Sequence, residues 1–238
     1  MNSRLWDKML IVMNRGKMKN DKKKLFLVFC NHRTGSSATA GVLSQLGVHM
    51  GDTLLEPNEN NPKGYFENKL YVSINENILH ENGATWIEQP NSLKLKRSSR
   101  MDKKISEFVE SQQRNVWGLK DPRTLLTFEL WEPFLKKDND IYYIFVHRDF
   151  EESKQSLIKR NGFSPKKAND VLIPYLKKLH YYRHIYLSSE EKIIDVSFDS
   201  LVSNPRVFTA HINHLLGHPE EKNFKKVFSF IDQSLKHY

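Results

Sequence analysis

The 238-residue sequence predicts an α/β fold with a central, mostly parallel sheet, and three observations carry that expectation. Four short apolar runs, Leu25–Cys30, Val116–Leu119, Ile141–Val146 and Lys192–Val196, are rich in Val, Ile, Leu and aromatic residues and bounded by polar ones, as buried strands are. The longer stretches between them carry helical spacing, and this alternation favours a parallel sheet covered on both faces. Composition suits one folded domain: 39% hydrophobic, 11% aromatic and 27% charged residues, the last close to the ordinary ~25%.

Along the chain, residues 1–24 read as an N-terminal basic arm that need not be structured, with 25–238 as a single domain; Met18 is an alternative start to Met1. Leu5–Met13 is interrupted by Asp7 and Lys8 and lacks a small-residue cleavage site, so it makes a poor signal peptide. The longest apolar stretch falls far short of the ~20 residues a membrane span needs. A soluble cytoplasmic protein is the expectation. Cys30 lies in an apolar run and reads as a buried hydrophobe; as the lone cysteine it excludes an intramolecular disulfide.

After the first strand, Ser36–Leu46 sets Val42, Leu43 and Leu46 on one helical face, and Gly47 is the expected stop. Segment 51–66, with Gly51, Pro57, Pro62 and Gly64, reads as a long irregular loop of the kind that is often functional. Helices are expected at Asn68–His80, Arg100–Gln113 and Phe150–Lys159, with basic Lys94–Lys104 as a surface arm. Pro174 predicts a break or kink within 167–186.

Charge narrows the partner. Lys and Arg number 37 against 28 Asp and Glu, giving a net charge of +9 and a pI near 9.4. Such an excess favours an anion: nucleotide, nucleic acid, acidic glycan or membrane surface.

The most informative segment follows the first strand, where Arg33-Thr34-Gly35-Ser36-Ser37 opens a helix. A helix start has unpaired N–H groups and the positive end of its dipole, so it suits a phosphate. Gly35 allows close backbone approach, Thr34, Ser36 and Ser37 bring hydroxyls, and Arg33 brings a charged fork. Ser36 or Ser37 as a plain helix cap is the simpler alternative. A nucleoside-triphosphate loop of the form G-x-x-x-x-G-K-[ST] is absent, and the third strand ends in His147-Arg148 where a metal-binding Asp would stand. A second basic cluster, Arg148, Ser156 and Arg160, follows that strand; 156 and 160 share a helical face. A solvated face with Glu151, Glu152, Lys154 and Lys159 is its simpler alternative.

Together these two motifs resemble the phosphate sites of the sulfotransferases that use 3′-phosphoadenosine-5′-phosphosulfate (PAPS). The resemblance spans roughly residues 25–235 and implies a P-loop-like three-layer sandwich. By that resemblance Arg33, Thr34, Gly35, Ser36 and Ser37 hold the 5′-phosphate, and Arg148, Ser156 and Arg160 the 3′-phosphate. Ile194 to Pro205 is similar to a later family segment and puts Phe198 where many members stack a Tyr on adenine; stacking survives the change, whereas the hydroxyl is lost, and plain core is the other role open to Phe198. The Asn61-to-Glu67 (NPKGYFE) and Gly118-to-Arg123 (GLKDPR) segments are similar to a bacterial carbohydrate-modifying branch.

The implied reaction is in-line transfer of a sulfuryl group from PAPS to a hydroxyl, less readily an amino, acceptor, with a glycan or glycolipid preferred. It needs a base for the acceptor proton and cations for the leaving phosphate; no metal is required. Arg33 and Lys120 are the candidate cations and Glu67 the candidate base, with Asp121, His32 and His147 as alternatives. Helix capping is the other role open to Glu67, and an ion pair with Asp121 the one open to Lys120. Arg123 is open to an anionic acceptor or to local pairing. His180 with His184, and His211 with His214, read as surface pairs without a zinc pattern. A nucleic-acid partner is not expected, and the oligomeric state is open. Two rivals stand beside this reading: a kinase-like nucleotide enzyme, and a catalytically silent glycan- or nucleic-acid-binding protein on the same fold.

Overall fold

The computed structural model describes residues 22–90, 95–112 and 114–231, so nearly all of the expected N-terminal arm lies outside the described residues. Four parallel strands form the sheet: β1 (Lys23–Cys30), β2 (Val116–Lys120), β3 (Asn139–His147) and β4 (Ile193–Ser197), in the order β2-β1-β3-β4. Each contains or closely overlaps an expected run. Lys23 and Lys24 belong to β1, not to the arm. Their backbones pair with β3 and β2, and their amines donate to the Gln112 and Leu215 carbonyls.

Nine helices are described: α1 (Ser36–Gln45), α2 (Lys69–Glu81), α3 (Ser99–Ser111), α4 (Thr124–Asp138), α5 (Phe150–Asn161), α6 (Pro165–Tyr181), α7 (Phe198–Ser203), α8 (Pro205–Leu215) and α9 (Phe224–Phe230). Strand alternation sorts the core into two layers. Leu25, Leu27 and Phe29 face α2 through α6, with Phe29 stacked on Phe145 at 5.1 Å and meeting Phe128 edge-on at 5.0 Å. Phe26, Val28 and Cys30 face α1 and α7 through α9. The sandwich therefore has helices on both faces, as expected.

Three details differ from the sequence reading. Helix α4 was not expected: Leu125, Leu126, Phe128, Leu130, Trp131 and Leu135 are all buried and wrap around much of its circumference, so no amphipathic stripe marks it. Helix α6 runs through Pro174, and the irregularity comes later, as a π-helical turn at Tyr182–Tyr186. The basic stretch expected as an arm enters α3 at Ser99, behind a Ser98 cap. Gly47, by contrast, follows α1 as expected, at φ 96°. No helix among the described residues is long and apolar enough to cross a membrane.

Helices α2 and α4 are joined by a buried polar network. Asn75 donates to Asp121 Oδ2 at 2.8 Å and accepts from Thr127 Oγ1 and Trp131 Nε1, each at 2.8 Å. Replacing Asn75 by Leu takes the partner from Asp121 Oδ2 and Trp131 Nε1, while Thr127 Oγ1 keeps the Arg123 carbonyl at 3.2 Å. Urea denaturation of Asn75→Leu should show a loss of about 2–4 kcal/mol, since each unsatisfied buried group costs about 1–3 kcal/mol and the costs overlap.

Candidate active site

The chain leaves β1 toward α1 on one face and β3 toward α5 on the other, and β1 and β3 are neighbours. Opposed loops at adjacent strand ends open a crevice at their carboxyl edge, where ligands of open α/β sheets gather. A cavity of about 410 Å³ lies there.

Local bonds shape the first wall. Asn31 donates to the Leu172 carbonyl at 3.0 Å and accepts the His32 amide at 2.7 Å. Thr34 Oγ1 donates to the Asn31 carbonyl at 2.9 Å, so this hydroxyl closes the turn and does not line the cavity. Arg33 and Gly35 take left-handed φ values of 63° and 83°. A Cβ on Gly35 would lie 2.0 Å from the Phe198 ring, so both conformation and contact demand glycine. Gly35 stands at the N-cap of α1 without a side-chain cap, so neither Ser36 nor Ser37 caps it. Both serines line the cavity.

The two basic motifs meet. Arg33 Nε donates to Ser156 Oγ at 2.9 Å, and Arg148 Nη1 to the Arg33 carbonyl at 3.1 Å. The Arg148 side chain is only 4% exposed; Glu152 holds its Nε at 2.9 Å, and its buried Nη2 has no hydrogen-bond partner. Arg160 approaches across the cavity, its guanidinium 5.6 Å from the Tyr65 ring centre. Burial, then the neighbouring Arg160, lowers the Arg33 guanidinium to about 10. Phe198 belongs to the apolar core beneath the turn. It borders the cavity at 2% exposure, with Arg148 4.7 Å from its ring centre and Gly35 against its edge, and so supports the turn from below.

Lys120 ends β2 beside this wall. Its ammonium lies 2.5 Å from Glu67 Oε1 and 3.2 Å from Ser37 Oγ. Glu67 is delivered by Phe66, whose φ of 55° turns the chain inward, and the cap of α2 is Asn68. Glu67 is thus not the helix cap, and Lys120 does not pair with Asp121. Burial pushes the Glu67 carboxyl up, with Lys120 pulling the other way.

The alternative bases are placed otherwise. Asp121 is fully buried and does not line the cavity; it accepts from the Arg123 amide, Arg123 Nη1 and Asn75. Arg123 lines the cavity while pairing with Asp121 at 2.9 Å and Glu76 at 3.1 Å. His147 is outside the cavity on Asp195, which also takes Arg183. His32 lines the cavity, and burial with Arg123, Arg160, Lys120 and Arg33 around it holds its imidazole well below the ordinary range. The His180 and His184 rings meet edge-on at 5.9 Å. No group of three or more His, Cys, Asp or Glu among the described residues is arranged to hold a metal ion.

Sequence reasoning did not single out Asn61, which donates to Ser37 Oγ at 3.0 Å, Glu152, which clamps Arg148, or Trp86, which lines the cavity. Asn61 entered only as the first residue of the NPKGYFE segment, and Trp86 only as part of loop 84–104, expected with loop 51–66 to cover the acceptor.

Among solved structures, the chain is similar to the sulfotransferase STF1 from Mycobacterium tuberculosis H37Rv (TM-score 0.48, 16% identity, 94% of this chain and 74% of that one). It is also similar to the sulfotransferase domain from the curacin biosynthetic pathway (TM-score 0.47, 14% identity, 87% and 78%). A third similar structure is the sulfotransferase STF9 from Mycobacterium avium (TM-score 0.44, 12% identity, 93% and 71%). No family model and no curated protein matches the chain.

Removing one half of the Lys120–Glu67 pair leaves the other buried. Glu67→Gln should cost about 3 kcal/mol at neutral pH in chemical denaturation, because it strands a buried ammonium. The double variant Glu67→Gln/Lys120→Met should recover much of that loss.

Proposed function

We propose that this chain is a sulfotransferase that moves a sulfuryl group from PAPS to a hydroxyl, preferably on a sugar. The observation that carries the reading is the meeting, in one crevice, of two basic clusters 115 residues apart in sequence, joined by the Arg148-to-Arg33 hydrogen bond. A donor with phosphates at its 3′ and 5′ positions asks for such a pair of sites. The cavity also fits the donor chemically. Its volume is in the range of small-molecule sites, and the orphaned Arg148 Nη2 offers a buried donor for a phosphate oxygen.

The donor supplies an activated sulfuryl group on a phosphate leaving group. In this reading the α1 N-terminus, Ser36, Ser37 and Arg33 hold the 5′-phosphate, and Arg148, Ser156 and Arg160 hold the 3′-phosphate. Acceptor oxygen bonds to sulfur as the sulfur–oxygen bond to the 5′-phosphate breaks. Lys120 and Arg33 stabilise the charge that grows on the departing oxygen. Glu67, raised by burial and set against Lys120, takes the acceptor proton. Asp121 is less suited, because its oxygens are already occupied by Asn75 and Arg123. The sugar preference is supported by the NPKGYFE resemblance, whose Tyr65 and Glu67 both line the cavity.

Calorimetry with 3′-phosphoadenosine-5′-phosphate (PAP) tests the donor half. Micromolar binding by wild type should weaken about tenfold or more in Arg33→Ala and in Arg148→Ala, the scale of a lost charge-assisted contact. Unchanged affinity in both variants sinks the site assignment, and tighter binding of ATP with Mg²⁺ favours a kinase-like enzyme. The base is tested by pH. Glu67 must be ionised to act and its carboxyl is raised, so activity should fall on the acid side at a pH above the ordinary carboxylate value of 4.5. Lys120→Met removes the neighbour that holds this value down, so its residual activity should fall at a higher pH still.

A further inference from the structure

One cavity wall has no part in holding the donor phosphates. It lies on the side of the sheet away from α1, where His32, Trp86 and Tyr175 pack together. The His32 ring centre is 4.8 Å from Trp86 and 4.6 Å from Tyr175, the latter edge-on, and both His32 and Trp86 line the cavity. His32 Nε2 is buried and has no hydrogen-bond partner. A histidine kept only for packing would leave that nitrogen desolvated and unused, which is costly.

Trp86 is held in place before any ligand arrives. Tyr175 Oη donates to the Trp86 carbonyl at 3.2 Å, and Gln89 Nε2 donates to the Val171 carbonyl at 3.1 Å. Thr85 Oγ1 accepts the Ile87 and Glu88 amides, and the Thr85 amide donates to the Glu88 carbonyl at 2.7 Å. Phe163 lies nearly parallel to the Trp86 ring, 6.3 Å away. The ring is only partly buried. A rigid, half-exposed indole next to an unpartnered imidazole nitrogen presents an apolar face and one directional polar group, the composition of a site that orients a small polar ring.

We infer that His32 and Trp86 are acceptor-binding residues: Trp86 takes the apolar face of a pyranose ring, and His32 Nε2 hydrogen-bonds a hydroxyl next to the one that is sulfated. This rests on the sulfotransferase reading above. A neutral imidazole can donate or accept this bond according to its tautomer. Burial, and then the surrounding cations, keep it neutral, which suits orientation and leaves proton removal to Glu67.

The experiment loads the full chain with PAP and measures saturation-transfer NMR to p-nitrophenyl β-glucoside, β-galactoside and β-N-acetylglucosaminide. PAP affinity is measured in parallel by calorimetry. His32→Phe keeps the aromatic packing without the nitrogen, His32→Gln restores a hydrogen-bonding group, and Trp86→Leu removes the indole. At least one pyranoside should bind wild type, about tenfold more weakly to His32→Phe and Trp86→Leu, with PAP affinity kept within about twofold and partial recovery in His32→Gln. Should His32→Phe fail to fold, Trp86→Leu, altered at a partly exposed ring, carries the comparison. No pyranoside bound to PAP-loaded wild type, variants that bind as wild type does, or equal losses of PAP and pyranoside binding each overturn the inference. Wild type that does not bind PAP at all overturns the donor reading first, and this one with it.

Discussion

The buried contact between Lys120 and Glu67 ties together three segments at the cavity wall. Lys120 ends the edge strand β2, Glu67 ends the long loop over the cavity, and Ser37 in the first turn of α1 lies within reach of the same ammonium. Burying two charges is expensive, and a well-packed apolar pair is often as stable or more so. Stability alone does not account for such a pair at a cavity wall. Its electrostatic setting gives a better reason: Arg33, Arg148, Arg160 and Arg123 line the same space, and the guanidinium of Arg33 is pulled down to about 10 by burial and by Arg160. Glu67 offsets part of that crowding, and an incoming anion would offset more. The fold itself holds these cations together, which is what preorganised electrostatics require.

Strand order sets where this can happen. With β1 central and its neighbours β2 and β3 on either side, the loops after β1 and β3 leave toward opposite faces. The turn at Arg33–Gly35 and the start of α5 therefore flank one crevice. The turn reaches it only through two left-handed residues, Arg33 and Gly35, the glycine pressed against Phe198. Phe198 in turn carries Arg148 on its face. Backbone conformation, one aromatic ring and one arginine form a stack in which each member fixes the next, while Glu152 and the Arg33 carbonyl hold that arginine laterally.

The four strands and the two basic motifs were legible because each is local: a short apolar run, or a few polar residues behind one. Helix α4 was hidden for the opposite reason, since it is buried over most of its surface and carries no period that distinguishes a face. Pro174 misled because the rule about interior proline speaks of cost, and tertiary packing of Val171, Leu172 and Tyr175 sustains the helix through it. Phe198 and Thr34 were assigned by their place in a motif, and the structure gives each a supporting contact that the motif does not encode. The wall beyond Lys120 was least legible of all. It assembles His32, Trp86 and Tyr175 from three distant segments, and nothing in the pattern of any one of them marks the meeting.

The same surroundings act in opposite senses on the two titratable side chains that flank the acceptor side. Burial disfavours whichever form is charged, so it raises the carboxyl of Glu67 and lowers the imidazole of His32. The cations then separate them further in role: they oppose the rise at Glu67, keeping a carboxylate accessible, and add to the fall at His32, keeping an imidazole uncharged. Both shifts follow from burial and from where the two residues lie relative to Lys120 and Arg123.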